Sequence, residues 1–262
     1  MQRLSEGKKI WLFLDYDGTL ADFADTPDEV YPDQALIELL QALVKQPQLR
    51  IAVISGRRLS HIRKLLPVSG LALAGTYGIE LELPDDGQVD QLDYEAVRPL
   101  LEEIKSHWQR LLQGRQGFYL EDKGWTLAIH AKFARDEEAA QVLDQARSLL
   151  ETRLPEQGFR ILGGHKFLEV APETANKAHT VDYFLDKYTW PGALPVYIGD
   201  DDKDEQAFEA IKARSGVALV VAKQPRATRA DARLQNPEEV RALLKTMLAA
   251  AETGQEHLKP HT

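Results

Sequence analysis

A series of short, unbroken apolar runs, separated by segments of helical period, constrains this chain more than any other feature. The first is Ile10-Trp11-Leu12-Phe13-Leu14, ended at once by Asp15-Tyr16-Asp17-Gly18-Thr19. Bulky residues without polar alternation, closed by turn residues, read as a strand covered on both faces, the habit of parallel sheets. Pro32-Asp33 then opens a helical pattern with Leu36, Leu39, Leu40 and Leu43 on one face. Arg50–Ile54 is a second buried strand closed by Ser55-Gly56-Arg57, Leu59–Leu66 is again helical, and Leu71–Ala74 is a third strand. Strand and helix in this alternation imply right-handed crossovers in a doubly wound α/β sheet, a Rossmann-like core.

The pattern breaks after Gly78. Ile79–Leu83 alternates apolar and acidic residues and Pro84-Asp85-Asp86-Gly87 makes a turn, so a half-exposed antiparallel hairpin is expected. A helix over Tyr94–Leu112, strands near Gly117–Glu121 and Thr126–Ala131, a helix over Glu137–Leu154 and a hairpin over Phe159–Val170 follow. The first pattern returns after Pro172: a helix over Asn176–Lys187, a strand at Val196–Ile198, a helix after Asp204 and a strand over Gly216–Val221. The expected organisation is a core from residues 1–82 and 172–262, interrupted by an α+β domain over 83–171. The polar tail from Gly254 to Thr262 is expected to fray.

Composition excludes whole classes of chemistry. The 262 residues contain no cysteine, which removes disulfide scaffolds, thiolate metal sites and cysteine nucleophiles. With 41 acidic against 32 basic residues and a net charge of −9, the chain lacks the basic surplus that sequence-independent nucleic-acid binding needs. Its apolar runs are too short for a membrane span or signal peptide, so a soluble, cytoplasmic protein without nucleic-acid or membrane partners is expected.

Several polar segments fall at strand ends or helix starts on what should be one edge of one sheet. Asp15 and Asp17, at i and i+2, could divide nucleophile and acid–base work, or could be a solvated turn. Ser55-Gly56-Arg57 could bind an anion through a hydroxyl and backbone N–H groups, or merely cap a helix. Lys177 opens a helix, as many solvated lysines do. Gly199-Asp200-Asp201-Asp202-Lys203-Asp204-Glu205 crowds carboxylates that repel unless a cation sits among them; a hard divalent ion would suit, and an exposed acidic loop is the alternative. His130, His165 and His179 match no zinc spacing, and the tryptophans read as packing residues, with Trp125 the one that could stack on a sugar.

Taken in order, Asp-x-Asp-Gly-Thr, Ser-Gly-Arg, Lys177 and Gly-Asp-Asp-x-x-Asp-Glu resemble the motifs of the haloacid dehalogenase (HAD) superfamily of aspartyl-phosphate enzymes. That resemblance implies Asp15 as nucleophile, Asp17 as general acid and base, and Ser55 and Lys177 as phosphoryl-holding groups. Gly56 and Arg57 would join Ser55 in substrate binding. It also implies Mg2+ on Asp15, the Asp17 carbonyl and Asp200, with Asp201 or Asp204 in support. Asp at the second motif position implies a phosphatase, less readily a phosphomutase. Only 38 positions separate Asp17 from Ser55, whereas 120 separate Arg57 from Lys177, far more than the about 30 residues of one βαβ unit. The surplus resembles a cap of the second (C2) type, which closes over small organic phosphates.

Within that group the chain resembles the trehalose-6-phosphate phosphatase family along nearly its whole length. The matching stretches are 14–20, 54–57, 73–80, 120–124 with His130, Lys166 with Glu169, and 198–208. The resemblance implies that Glu121, Lys123 and Glu169 bind sugar hydroxyls and that the substrate is trehalose 6-phosphate. Another sugar phosphate, such as that of sucrose or glucosylglycerol, is the alternative; a non-catalytic sugar-phosphate-binding module is a third reading. A monomer is expected. The chain departs from the family pattern at Tyr77, where histidine is usual, at Lys203, where threonine is usual, and at Ala178, where glycine is usual.

Overall fold

A computed structural model describes residues 9–23, 30–84, 86–154 and 158–256. Asp85 of the expected turn and residues 257–262 of the expected frayed tail lie outside the described residues. In chain order the elements are β1 (Ile10–Leu14), α1 (Gln34–Leu43), β2 (Leu49–Ile54), α2 (Leu59–Leu65), β3 (Ala72–Gly75), β4 (Glu80–Leu83), β5 (Gly87–Asp90) and α3 (Tyr94–Leu112). There follow β6 (Tyr119–Asp122), β7 (Leu127–His130), α4 (Asp136–Arg153), β8 (Phe159–Gly164) and β9 (Phe167–Pro172). Last come α5 (Lys177–Lys187), β10 (Leu194–Gly199), α6 (Glu205–Ala213), β11 (Val217–Val221), β12 (Ala232–Leu234) and α7 (Pro237–Glu256).

Two compact units result, one from residues 1–89 with 176–262 and one from 90–175. The first holds a sheet of order β12-β11-β10-β1-β2-β3-β4-β5, parallel from β12 to β3. Every residue of β1 is buried, because it is paired on both edges and covered on both faces. Ile10, Leu12 and Leu14 enter one apolar core with side chains of α1, α2 and α7; Trp11 and Phe13 enter the other with those of α5 and α6. The sequence reading closed this core at residue 82 and began the inserted domain at 83. The structure pairs β4 antiparallel to β3, with Leu81 and Leu83 buried, and the first unit extends to residue 89, within β5.

Two terminal elements were absent from the sequence reading. Asn236-Pro237 opens α7, with the Asn236 side chain accepting from Glu239 N–H at 2.9 Å, and the helix continues through Gly254 to Glu256. The β12 strand is three residues long and carries no period of its own.

The second unit is a four-stranded sheet of order β6-β7-β9-β8 with α3 and α4. Both helices bury one stripe: Val97, Leu101, Ile104 and Trp108 in α3, and Ala139, Val142, Ala146 and Leu150 in α4. Leu127, Ile129, Leu168 and Val170 are buried on one face of the sheet, which leaves Glu121, Ala128 and Glu169 in register on the other. No described helix is long and apolar enough to cross a membrane.

Candidate active site

In the first unit the carboxyl ends of adjacent parallel strands converge. Asp15 follows β1, Ser55 follows β2 and Asp200 follows β10, and the strand order reverses at β1, the topological switch point of this fold. Asn176 caps α5 by accepting from Ala178 N–H at 2.8 Å, which sets Lys177 at the helix start.

Lys177 is buried, and its Nζ donates to Asp15 Oδ1 and to Asp204 Oδ1, both at 2.6 Å. Asp204 is fully enclosed and fully used: it also accepts from Tyr197 Oη at 2.7 Å and from the backbone N–H groups of Asp200 and Asp201 at 3.1 and 3.0 Å. It is an anchor that shapes the loop. Asp15, Asp200 and Asp204 each offer an oxygen within 4.8 Å of the others, and no donor reaches the buried Asp200 Oδ1. Gly18 permits this approach: its φ is +78°, and a Cβ there would lie 2.3 Å from Asp200 Oδ2.

The electrostatics follow from burial and crowding. Burial, reinforced by the charges of Asp15 and Asp204, pushes Asp200 up to about 9. Burial also pushes Asp15 up to about 6 against the pull of Lys177. Burial acts to neutralise Lys177, but the two carboxylates outweigh it and hold the ammonium charged, above its usual range. A divalent cation among these oxygens would reverse both carboxyl shifts, and an all-oxygen donor set with an unpartnered buried oxygen suits a hard ion such as Mg2+.

The remaining sequence-predicted residues divide. Asp17 stands apart from the trio, clamped by Arg57, whose Nε and Nη2 each donate to one of its oxygens at 2.7 Å. Ser55 is buried and its Oγ accepts from Arg57 N–H at 3.1 Å. Asp201 does not join the carboxylate group: it is exposed and caps the short 3-10 turn 202–204, accepting from Asp202 N–H at 2.6 Å. The structural reason is the cap itself, which engages the Asp201 carboxylate at the start of that turn. Tyr197, which the sequence reading passed over, carries the one hydroxyl within the apolar run 196–198.

In the second unit Glu121, Lys123 and Glu169 do come together. Lys123 Nζ donates to Glu169 Oε1 at 2.9 Å and lies 3.8 Å from Glu121 Oε2. Thr126 donates to the same Glu169 oxygen at 2.8 Å, and His130 Nε2 lies 2.9 Å from Glu121. Burial acts to raise the Glu121 carboxyl, but the His130 contact and the Lys123 charge outweigh it and hold the group below its usual range. Trp125 is buried, edge-on to Tyr94 with centroids 5.0 Å apart, so it is a packing residue. Among the described residues no histidine joins a metal-binding group.

Comparison with known proteins agrees with this geometry. The chain is 31% identical, over its full length, to an uncharacterized glycosyl hydrolase of Mycobacterium tuberculosis, of which it spans only 20%. It is 27% identical to trehalose 6-phosphate phosphatase RA3 of Zea mays, covering 93% of this chain and 71% of that one. The fold matches the C-terminal domain of Candida albicans trehalose-6-phosphate phosphatase with a TM-score of 0.79 at 21% identity, over 95% and 94% of the two chains. The profile of the trehalose-phosphatase family matches residues 13–238, which include the strand-end carboxylates, Lys177 and the Glu121–Lys123–Glu169 group, and the chain therefore belongs to the trehalose-phosphatase family.

Proposed function

We propose that the protein is a Mg2+-dependent phosphatase that hydrolyses trehalose 6-phosphate to trehalose and phosphate through an aspartyl-phosphate on Asp15. The observation that carries the reading is Asp15 held 2.6 Å from a buried ammonium, beside the unpartnered Asp200 Oδ1, in a chain of this family. Asp15 attacks phosphorus, the bond from phosphorus to the sugar oxygen breaks, and Asp17 protonates the departing alcohol. Asp17 then takes a proton from the water that cleaves the acyl phosphate and restores Asp15. A phosphate dianion competes for the Arg57 guanidinium, which loosens the clamp on Asp17 and frees it for this work.

Ser55, Gly56 and Lys177 hold phosphoryl oxygens, and Lys177 offsets repulsion between Asp15 and the incoming anion. Asp15, Asp200 and the Asp17 carbonyl would hold Mg2+, which supplies charge stabilisation of the transferring phosphoryl group. The chemistry belongs to the first unit and sugar recognition to the second, where Glu121, Lys123 and Glu169 bind hydroxyls. Carboxylates accept paired hydrogen bonds from vicinal hydroxyls and reject analogues that lack them. We place the enzyme in the cytoplasm, as a monomer acting on a small sugar phosphate.

Phosphate release with Mg2+ across trehalose 6-phosphate, sucrose 6-phosphate, glucose 6-phosphate and glucosylglycerol phosphate tests this. A preference of about 100-fold for trehalose 6-phosphate is expected. Preference for another ester reassigns the substrate, and no release from any of them removes the phosphatase reading.

A further inference from the structure

The turn after β3 is strained. Thr76 and Tyr77 have φ of +47° and +57°, a left-handed conformation that is costly for a β-branched residue and rare for an aromatic one. The surroundings over-determine it. Thr76 N–H donates to Arg57 O at 2.7 Å and Tyr77 N–H to Ser55 O at 2.9 Å; Thr180 Oγ1 donates to Tyr77 O at 2.9 Å. The turn is thus stapled to the loop assigned to phosphoryl binding. Its product is a buried phenol ring lying flush on Gly56, where a Cβ would come within 2.8 Å of the ring carbons.

Lys203 meets that ring at its hydroxyl. Its Nζ donates to Tyr77 Oη at 3.2 Å and lies 5.4 Å from the ring centroid, so the ammonium stands beyond the hydroxyl and is held by a hydrogen bond to it. Asp201, which is exposed, lies 3.9 Å from the same ammonium. Lys203 belongs to the 3-10 turn between Asp200 and Asp204, so the carboxylate loop and the Ser55–Arg57 loop share one fixed cation.

We propose that Lys203 binds the phosphorylated end of the substrate as a second cation beside Lys177, and that Tyr77 is a positioning residue that fixes its ammonium. The inference rests on the phosphatase reading and adds to it a residue pair that departs from the family pattern at both members. A cation that holds the dianion alike before and during reaction acts mainly on binding, so its signature lies in KM and in salt dependence.

The test uses the full-length protein with Mg2+ and the variants Lys203→Thr, Lys203→Arg, Tyr77→Phe and the double Lys203→Thr/Tyr77→Phe. Calorimetric titration with inorganic phosphate gives binding without turnover, and trehalose 6-phosphate kinetics give KM and kcat. Lys203→Thr is expected to weaken phosphate binding and raise KM by about 10-fold, with kcat within about 2-fold. It should also flatten the rise of KM with salt, and Lys203→Arg should restore most of the loss. Tyr77→Phe is expected to cost about 3-fold, and the double variant to be no worse than Lys203→Thr. Unchanged phosphate affinity in Lys203→Thr, or independent effects of the two substitutions, overturns the proposal. A wild-type protein that binds phosphate with this Lys203 dependence but hydrolyses no ester overturns the phosphatase reading alone.

Discussion

Each unit of this protein buries one lysine between two carboxylates, and the two clusters differ in what they leave unsatisfied. Lys177 touches Asp15 and Asp204 at 2.6 Å, yet a third carboxylate, Asp200, shares the space and keeps a buried oxygen without a donor. Lys123 touches Glu169 at 2.9 Å, and Thr126 and His130 supply the further contacts to Glu169 and Glu121. The first cluster is over-acidic and would be completed by a cation; in the second, carboxylates and donors contact one another. In the proposed reaction the excess buried charge would supply the field for phosphoryl transfer, whereas the second cluster would hold its groups rigidly for recognition.

That contrast can be broken in several ways. The largest effect is expected from Asp15→Asn, which should lower turnover by about 10⁴-fold or more while circular dichroism shows a retained fold, because the amide cannot form the acyl phosphate. Appreciable residual hydrolysis would remove Asp15 as nucleophile. Glu169→Ala should strand the Lys123 ammonium in the second unit and destabilise it by about 3–5 kcal/mol, read by chemical denaturation. A loss below about 1 kcal/mol would mean that Lys123 finds water or another partner, and that the cluster is not closed.

Glu121→Ala should separate recognition from chemistry. Turnover of trehalose 6-phosphate should fall about 100-fold and that of p-nitrophenyl phosphate by no more than about 3-fold. Equal losses on both substrates would make Glu121 a structural residue.

The over-acidic cluster also predicts a pH signature. Asp200 is raised from 3.8 to about 9, so between those values the folded state holds a proton that the unfolded state has released, and the carboxyl costs stability as pH rises. In EDTA, Asp200→Asn should therefore melt above wild type near pH 9, and the gap should close as pH falls toward 3.8. Saturating Mg2+ should reverse the order, since only the wild type gains from the ion. Identical melting curves with and without EDTA would exclude the site as a cation site. The smallest effect belongs to Asp201→Asn, which preserves the cap and should change kcat and the Mg2+ requirement by no more than about 2-fold. A large rise in the Mg2+ requirement would return Asp201 to the ligand set.

Much of the fold was legible because its signals are local. The 3.6-residue stripe of Val97, Leu101, Ile104 and Trp108 marks α3 without help from elsewhere, and so does the unbroken run of β1. The hairpin of β4 and β5 was legible as a hairpin, but its pairing to β3 and the boundary near residue 89 were not, because alternation reports exposure and says nothing about which strand lies alongside. At the site, Asp15, Ser55, Lys177 and Asp200 stood out as polar groups at strand ends and a helix start. The Arg57 clamp on Asp17 and the anchoring of Asp204 by Tyr197 did not, since neither partner's spacing carries a period.

By itself, then, the sequence determined which elements form, which polar residues stand at their ends and which family the motifs resemble, because propensity, capping and hydrophobic period act over a few residues. Tertiary structure alone decided which of those residues meet and in what charge state. Lys177 and Asp15 are 162 positions apart, and the shift of Asp200 arises from burial and from carboxylates that other segments bring within reach. Contact and desolvation are properties of the packed chain, and they turn acidic residues of similar appearance into an anchor, a clamped carboxylate, a helix cap and a candidate site for a cation.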